Sequence, residues 1–227
     1  MRNIEWIIFD WDDVFTLGSK EWYYKCYLET LEELWVSLPF EEADKRIQAK
    51  WWQSHREELK ELLKEKPELI DRACEIYEAK LFWGTFTSCL SLVKWAVDTL
   101  LILSNEWYNL SVATGLNSKL FREQIVPRFD IPDVFSQVIS AYDIPDPTKA
   151  KPHPYMAKQI LTQQNLSSDK VILVWDAWND VWMAQSLWIT PIVVLTWHLD
   201  TQQAIQLWVQ HIINDVSELP KFLWLNK

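Results

Sequence analysis

Apolar positions along the chain follow two different rhythms. EWIIFD, residues 5–10, is a short apolar run closed by an acid, the mark of a buried strand. From Lys20 to Phe82 the rhythm becomes helical. SKEWYYKCYLETLEELW, FEEADKRIQAKWW, SHREELKELLKEK and PELIDRACEIYEAKLF read as four amphipathic helices. Ser19 and Ser54 are expected as helix N-caps, and Pro67 stands where a first-turn proline is tolerated. No strand signal interrupts the block, so residues 18–86 are expected to form an all-helical insert.

Beyond it, strands and helices alternate. Strands are expected over 108–113, 138–140, 170–174, 191–195 and 211–213. Helices are expected over 95–106, 118–126, 154–164, 179–187 and 201–207, with a helical tail. Such alternation predicts an α/β fold, a Rossmann-like parallel sheet with helices on both faces. Residues 1–17 and 87–227 would form it. Ligands of such sheets bind beyond the carboxyl ends of the strands.

Composition narrows the function. The 227 residues carry 22 basic and 32 acidic side chains, a net charge of −10. That argues against nucleic-acid and anionic-membrane binding, which need a basic face. No apolar run reaches the roughly 18 residues of a membrane span. Acids follow the first apolar residues too soon for a signal peptide. Cys26, Cys74 and Cys89 are odd in number and have no metal spacing, so a reduced, cytoplasmic setting is expected.

The chemistry gathers at the strand ends. Asp10-Trp11-Asp12 follows the first strand, and Thr114-Gly115 follows the second core strand. Lys151-Pro152-His153-Pro154 precedes a helix, and Trp175-Asp176-Ala177-Trp178-Asn179-Asp180 follows KVILV. A parallel sheet brings these sets to one edge. Crowded carboxylates need a cation, and oxygen donors without Cys or His favour Mg²⁺. Lys151, Thr114 and the Gly115 N–H suit phosphate oxygens. A carboxylate can attack phosphorus, and a second can serve as acid and then base.

FDWDD, VATG, KPHP and WDAWND resemble, in order, the four motifs of the haloacid dehalogenase-like superfamily of phosphohydrolases. The resemblance covers essentially the whole chain. The insert resembles the helical cap of the subgroup with phosphoglycolate phosphatase and β-phosphoglucomutase. It implies Asp10 as nucleophile and Asp12 as general acid/base, with the Asp12 backbone carbonyl also on Mg²⁺. It implies Asp176 as metal carboxylate, Asp180 as metal support through water, and Thr114 and Lys151 as phosphoryl holders. Lys149 competes with Lys151, and the following proline favours Lys151. Asp13 stands where many relatives have glycine. His55 and Arg56, in a stretch resembling the cap loop that selects substrate, would reach a substrate's distal group or simply begin a charged helix. Cap closure would exclude water. The implied activity is Mg²⁺-dependent hydrolysis of a small phosphorylated metabolite, of phosphoglycolate or sugar phosphate type. Phosphomutase chemistry, dehalogenation and a non-catalytic binding protein are the rival readings.

One anomaly remains: 16 Trp against 3 Gly. At typical usage of about 7%, about 16 Gly are expected. Trp35, Trp107 and Trp188 fall just past helix ends, where a left-handed glycine is usual. Trp95 opens a helix where relatives often have Pro-Gly, and Trp197 and Trp208 also stand in glycine-like slots. Trp175 and Trp178 replace glycines of the resembled motif, and an indole beside Asp176 would crowd the metal site. Some bacterial lineages read UGA as glycine, and such a gene translated with UGA as tryptophan would print this pattern. Gly18, Gly84 and Gly115 would then come from other codons, and Trp11 would be genuine.

Overall fold

The computed structural model describes residues 4–51, 53–83, 86–196 and 199–225. By its contacts the chain divides into two compact units, Met1–Leu17 with Ser91–Lys227, and Gly18–Leu90.

The first unit is built on six strands. These are β1 (Trp6–Phe9), β4 (Asn109–Thr114), β5 (Phe135–Ser140), β6 (Val171–Trp175), β7 (Thr190–Val194) and β8 (His211–Ile213). Every pairing in this sheet is parallel, in the order β5-β4-β1-β6-β7-β8. All residues of β1 and β6 are buried, so these strands read as unbroken apolar runs rather than alternating ones. The flanking helices include α6 (Ala96–Asn105), α9 (Tyr155–Gln163), α10 (Trp178–Ser186), α11 (Thr201–Gln206) and α12 (Leu219–Leu225). Between β4 and β5 the helical stretch is broken into α7 (Ser118–Leu120), a π-helical segment at Phe121–Ile125 and α8 (Val126–Arg128). A two-residue antiparallel ribbon, β2 (Thr16–Leu17) with β3 (Ser91–Leu92), completes the unit.

Register decides where the chemistry lands. Phe9 at the end of β1 is level with Val112 of β4 and Val174 of β6. From β1 the chain runs to β4 and β5 on one side, then returns to β6, β7 and β8 on the other. The crossovers therefore part around β1, which is where an open α/β sheet leaves its crevice.

The second unit holds α1 (Ser19–Glu33), α2 (Phe40–Gln48), α3 (His55–Leu62), α4 (Ile70–Trp83) and α5 (Phe86–Cys89). A single 3₁₀ turn, Pro67–Leu69, leads into α4. The buried guanidinium of Arg46 in α2 reaches the Leu62 carbonyl at 3.0 Å and Glu65 at 2.5 and 2.7 Å, tying α2 to the end of α3. This unit runs to Leu90 rather than to 86, because the whole of α5, Phe86–Cys89, belongs to it; the Phe86 ring packs 4.6 Å from Tyr23 of α1. Ser19 is not a cap but the first helical residue. The cap is Gly18, with φ 89°, a conformation glycine adopts without a Cβ clash. Ser54 does cap α3, without a side-chain hydrogen bond.

Among the described residues, eight other than glycine have a left-handed φ: Asp13, Trp35, Trp95, Trp107, Asp130, Asn165, Trp188 and Trp208. Five of them are tryptophan. Trp197 lies outside the described residues.

Candidate active site

Asp10 directly follows β1, and its backbone N–H donates to the Val174 carbonyl at 3.0 Å, so the strand pairing itself fixes the carboxylate. Its Oδ1 accepts from the Trp11 N–H at 2.7 Å. The chain then turns tightly: the Trp11 carbonyl accepts from the N–H groups of Val14 and Phe15. That turn needs a left-handed residue, and Asp13 supplies it with φ 55°. Asp and Asn are the non-glycine residues that tolerate this region best, which accounts for an acid where a glycine is usual.

Asp176 follows β6, and Asp180 sits in the first turn of α10, whose N-terminal dipole favours negative charge. The cap of that helix is Ala177, not Asp176. Oxygens of Asp10, Asp176 and Asp180 lie within 4.8 Å of one another, and all three residues are buried. The Lys151 ammonium stands among them, 2.7 Å from Asp10 Oδ2 and 3.2 Å from Asp180 Oδ1, and is itself buried. Lys149 is placed elsewhere, its Nζ 5.2 Å from the Tyr155 ring.

One ammonium does not balance three carboxylates. Burial first, then repulsion from Asp10, Asp13 and Asp180, pushes the Asp176 carboxyl well above its ordinary range. Burial likewise pushes Asp180 up to about 8, against the pull of Lys151. Lys151 is depressed by burial, but attraction from Asp10 and Asp180 outweighs this and holds it charged, above its ordinary value. Asp176 Oδ2 and Asp180 Oδ2 are buried without a hydrogen-bond partner among the described residues. Buried oxygens of this kind are costly unless something positive binds them. The donor set is all oxygen, which suits a hard cation such as Mg²⁺.

Thr114 ends β4 and is fully buried, and its Oγ1 accepts from the Leu116 N–H at 3.1 Å. It does not cap the next helix; Asn117 does, accepting from Lys119 and Leu120. A Cβ added at Gly115 would meet nothing within 4 Å, so the backbone there is open to a ligand. The Asp12 carboxylate is absent from the buried cluster and accepts from Thr16 Oγ1 at 3.4 Å. The Trp175 ring lies 4.8 Å from Lys151 Nζ, and its buried indole N–H has no acceptor among the described residues. Trp178 is half exposed at the first turn of α10.

His55 and Arg56 are engaged inside the helical unit. His55 is buried, stacks on Tyr77 at 5.2 Å, and places Nε2 3.3 Å from Glu78. Arg56 pairs with Asp71. Two further buried acids lie outside the expected site residues. Asp13, the third acid of FDWDD, is noted in the sequence only for its glycine-like position. Glu58 of α3 carried no signal beyond its place three residues after His55.

The family model for the haloacid dehalogenase-like hydrolases matches residues 7–194. No curated protein matches significantly. Several solved structures share the fold. A haloacid dehalogenase-like family hydrolase from Streptococcus pneumoniae is 18% identical with a TM-score of 0.76, covering 98% of this chain and 100% of its own. A protein described as a predicted phosphoglycolate phosphatase from Haemophilus somnus is 16% identical with a TM-score of 0.76, covering 98% and 99%. CbbY from Rhodobacter sphaeroides, solved in complex with phosphate, is 18% identical with a TM-score of 0.72, covering 95% and 96%. With the family model spanning the sheet from β1 to β7, the chain belongs to the haloacid dehalogenase-like hydrolases.

Proposed function

We propose that the protein is a Mg²⁺-dependent phosphatase that hydrolyses a small phosphate monoester through an aspartyl-phosphate on Asp10. The observation that carries this reading is the buried Lys151 ammonium 2.7 Å from Asp10, inside a cluster of three carboxylates. Asp10, Asp176 and Asp180, with the Asp12 carbonyl, would hold the metal. Bound there, Mg²⁺ would neutralise the carboxylates and the phosphoryl oxygens together.

The remaining chemistry falls to side chains. Lys151, the Thr114 hydroxyl and the Gly115 N–H hold the phosphoryl oxygens. The hydrogen bond from Trp11 N–H and the ion pair with Lys151 fix the Asp10 carboxylate. An Asp10 oxygen attacks phosphorus while the ester P–O bond breaks, and the Asp12 carboxyl gives its proton to the leaving alkoxide. Asp12, now ionised, takes a proton from water as the water oxygen attacks phosphorus. The bond to Asp10 breaks, and inorganic phosphate leaves. A phosphorylated metabolite such as phosphoglycolate or a sugar phosphate is the expected substrate class, with neither nucleic acid nor membrane as partner, in a cytoplasmic setting.

The test is phosphate release from a panel of small monoesters, with and without Mg²⁺, beside Asp10→Asn. Mg²⁺-dependent release that Asp10→Asn abolishes is expected. Retention of phosphate in an isomerised sugar would instead mark a mutase. One observation favours a second reading. The Trp175 ring over Lys151 occupies space beside the phosphoryl holder. If that indole and Trp178 are genuine, metal binding without turnover would mark a catalytically impaired binding protein.

A further inference from the structure

We propose that Trp35, Trp95, Trp107, Trp188 and Trp208 stand at positions that are glycine in the protein as its own cells make it, each encoded by UGA read as glycine. The inference is independent of the phosphatase reading and rests on backbone geometry.

Four of these tryptophans end a helix in the same way. In each, the tryptophan N–H bonds the carbonyl three residues back, and the next N–H bonds the carbonyl five back. The pairs are Trp35 to Glu32 with Val36 to Leu31, and Trp107 to Ser104 with Tyr108 to Leu103. They recur as Trp188 to Gln185 with Ile189 to Ala184, and Trp208 to Ile205 with Val209 to Ala204. This is the Schellman closure, whose left-handed residue is usually glycine and sometimes asparagine. The chain itself uses asparagine once, at Asn165, with the same two bonds to Thr162 and from Leu166 to Leu161. Trp95 differs in type and not in demand. The Ala96 N–H bonds the Val93 carbonyl and puts Trp95, φ 65°, third in the turn, where a positive φ calls for glycine.

The side chains add little that offsets the strain: Lys94 Nζ lies 5.2 Å from the Trp95 ring, an exposed and therefore weak cation–π contact. All five are between 61% and 92% exposed. Trp6 shows the contrast: it is buried, and its Nε1 donates to Ser111 Oγ at 2.9 Å. Trp11 is buried among the rings of Phe15, Phe121 and Phe135. A chain that placed surface indoles for binding would group them on one face; these follow the one backbone conformation that a Cβ opposes. Five of eight left-handed residues is also far above the share of tryptophan in the chain, 16 of 227.

We extend the reading to Trp175 on a different observation: its φ is not left-handed, but its buried ring lies 4.8 Å from Lys151 Nζ. Glycine there would open the space over the ammonium. This extension rests on the phosphatase reading and is tested separately, by phosphate release.

The decisive experiment reads the gene's codons and sequences peptides, by mass spectrometry, from the protein of its source cells. UGA codons and glycine at 35, 95, 107, 188 and 208, with UGG at 6 and 11, are expected. UGG codons or intact indoles at the five positions overturn the proposal. In parallel, the chain as written is compared in urea with single Trp→Gly variants. At the five positions each is expected to raise the folding equilibrium constant on the order of tenfold. Trp6→Gly lowers it. A loss of stability at the five left-handed positions would equally overturn the proposal. Neither readout depends on catalysis, so an inactive protein leaves both intact.

Discussion

The Lys151 ammonium and the Asp10 carboxylate form a buried ion pair at 2.7 Å, and Asp10 Oδ1 is held from the other side by the Trp11 N–H. Asp10 is thus positioned by a strand end and by a lysine 141 residues later. Removing the lysine strands the acid. Lys151→Met is expected to lower stability, by about 3–5 kcal/mol if the pair behaves as buried pairs usually do. It is expected to cut phosphate release by about 10²–10³-fold. In the Asp10→Asn background the same change costs less, and a double-mutant cycle in urea measures the difference.

Asp10→Asn keeps the shape and the hydrogen bond from Trp11 but removes the attacking charge. Phosphate release is expected to fall by about 10⁴-fold or more. Circular dichroism and the urea midpoint report that the fold survives. An Asp10→Asn protein that still turned over would sink the aspartyl-phosphate.

The buried acids set a pH dependence with a definite sign. Burial and mutual repulsion raise Asp176, and burial raises Asp180 to about 8. Their raised values favour folding below the ordinary carboxylate range, and that contribution is lost as pH rises from about 4 toward 8. Metal-free protein should therefore be less stable at pH 8 than at pH 6 through these groups. Mg²⁺ displaces the protons, so its affinity rises with pH. A hundredfold excess over Kd adds about 2.7 kcal/mol. Asp176→Asn and Asp180→Asn should each stabilise the metal-free protein at pH 8 and remove most of the Mg²⁺ increment. Thermal melts at both pH values, with and without Mg²⁺, check this.

The helical unit holds two opposed titrations on one helix. Burial pushes His55 down to about 4, so the unfolded chain binds its proton first and stability falls as pH drops from about 6.5 toward 4. Burial pushes Glu58 well up, so its contribution is lost as pH rises above the ordinary range. Glu58→Gln is expected to stabilise the protein more at pH 8 than at pH 5. His55→Phe, which keeps a ring against Tyr77, is expected to flatten the acid limb. Urea midpoints across this range report both.

The strands and most helices were legible because buried parallel strands and amphipathic helices carry strong periodic signals. The ends of β1, β4 and β6 lie within a residue or so of the expected places, which puts Asp10, Thr114 and Asp176 at strand ends. The ribbon of β2 and β3 was not legible, since two residues carry no period. The π-helical segment at Phe121–Ile125 was hidden for a related reason: its apolar spacing is nearly that of an ordinary helix. His55 and Arg56 illustrate a harder gap. A charged helix start reads the same whether its side chains face a ligand or, as here, Tyr77, Glu78 and Asp71. Trp35, Trp107 and Trp188 are legible from helix ends, because a helix must stop in one of few ways; Trp95, which opens a helix, is legible only through the resemblance.

The β2–β3 ribbon has a consequence for how this chain can be cut and rejoined. Leu17 is paired with Ser91, so the two points where the chain leaves and re-enters the sheet unit are neighbours. The 73 residues between them, Gly18–Leu90, are a single insertion in the chain of the sheet unit. A tight turn joining Leu17 to Ser91 would close that hairpin without disturbing any sheet pairing. Asp10, Lys151, Asp176 and Asp180 all belong to the sheet unit, so none of these four is lost with the helical insert.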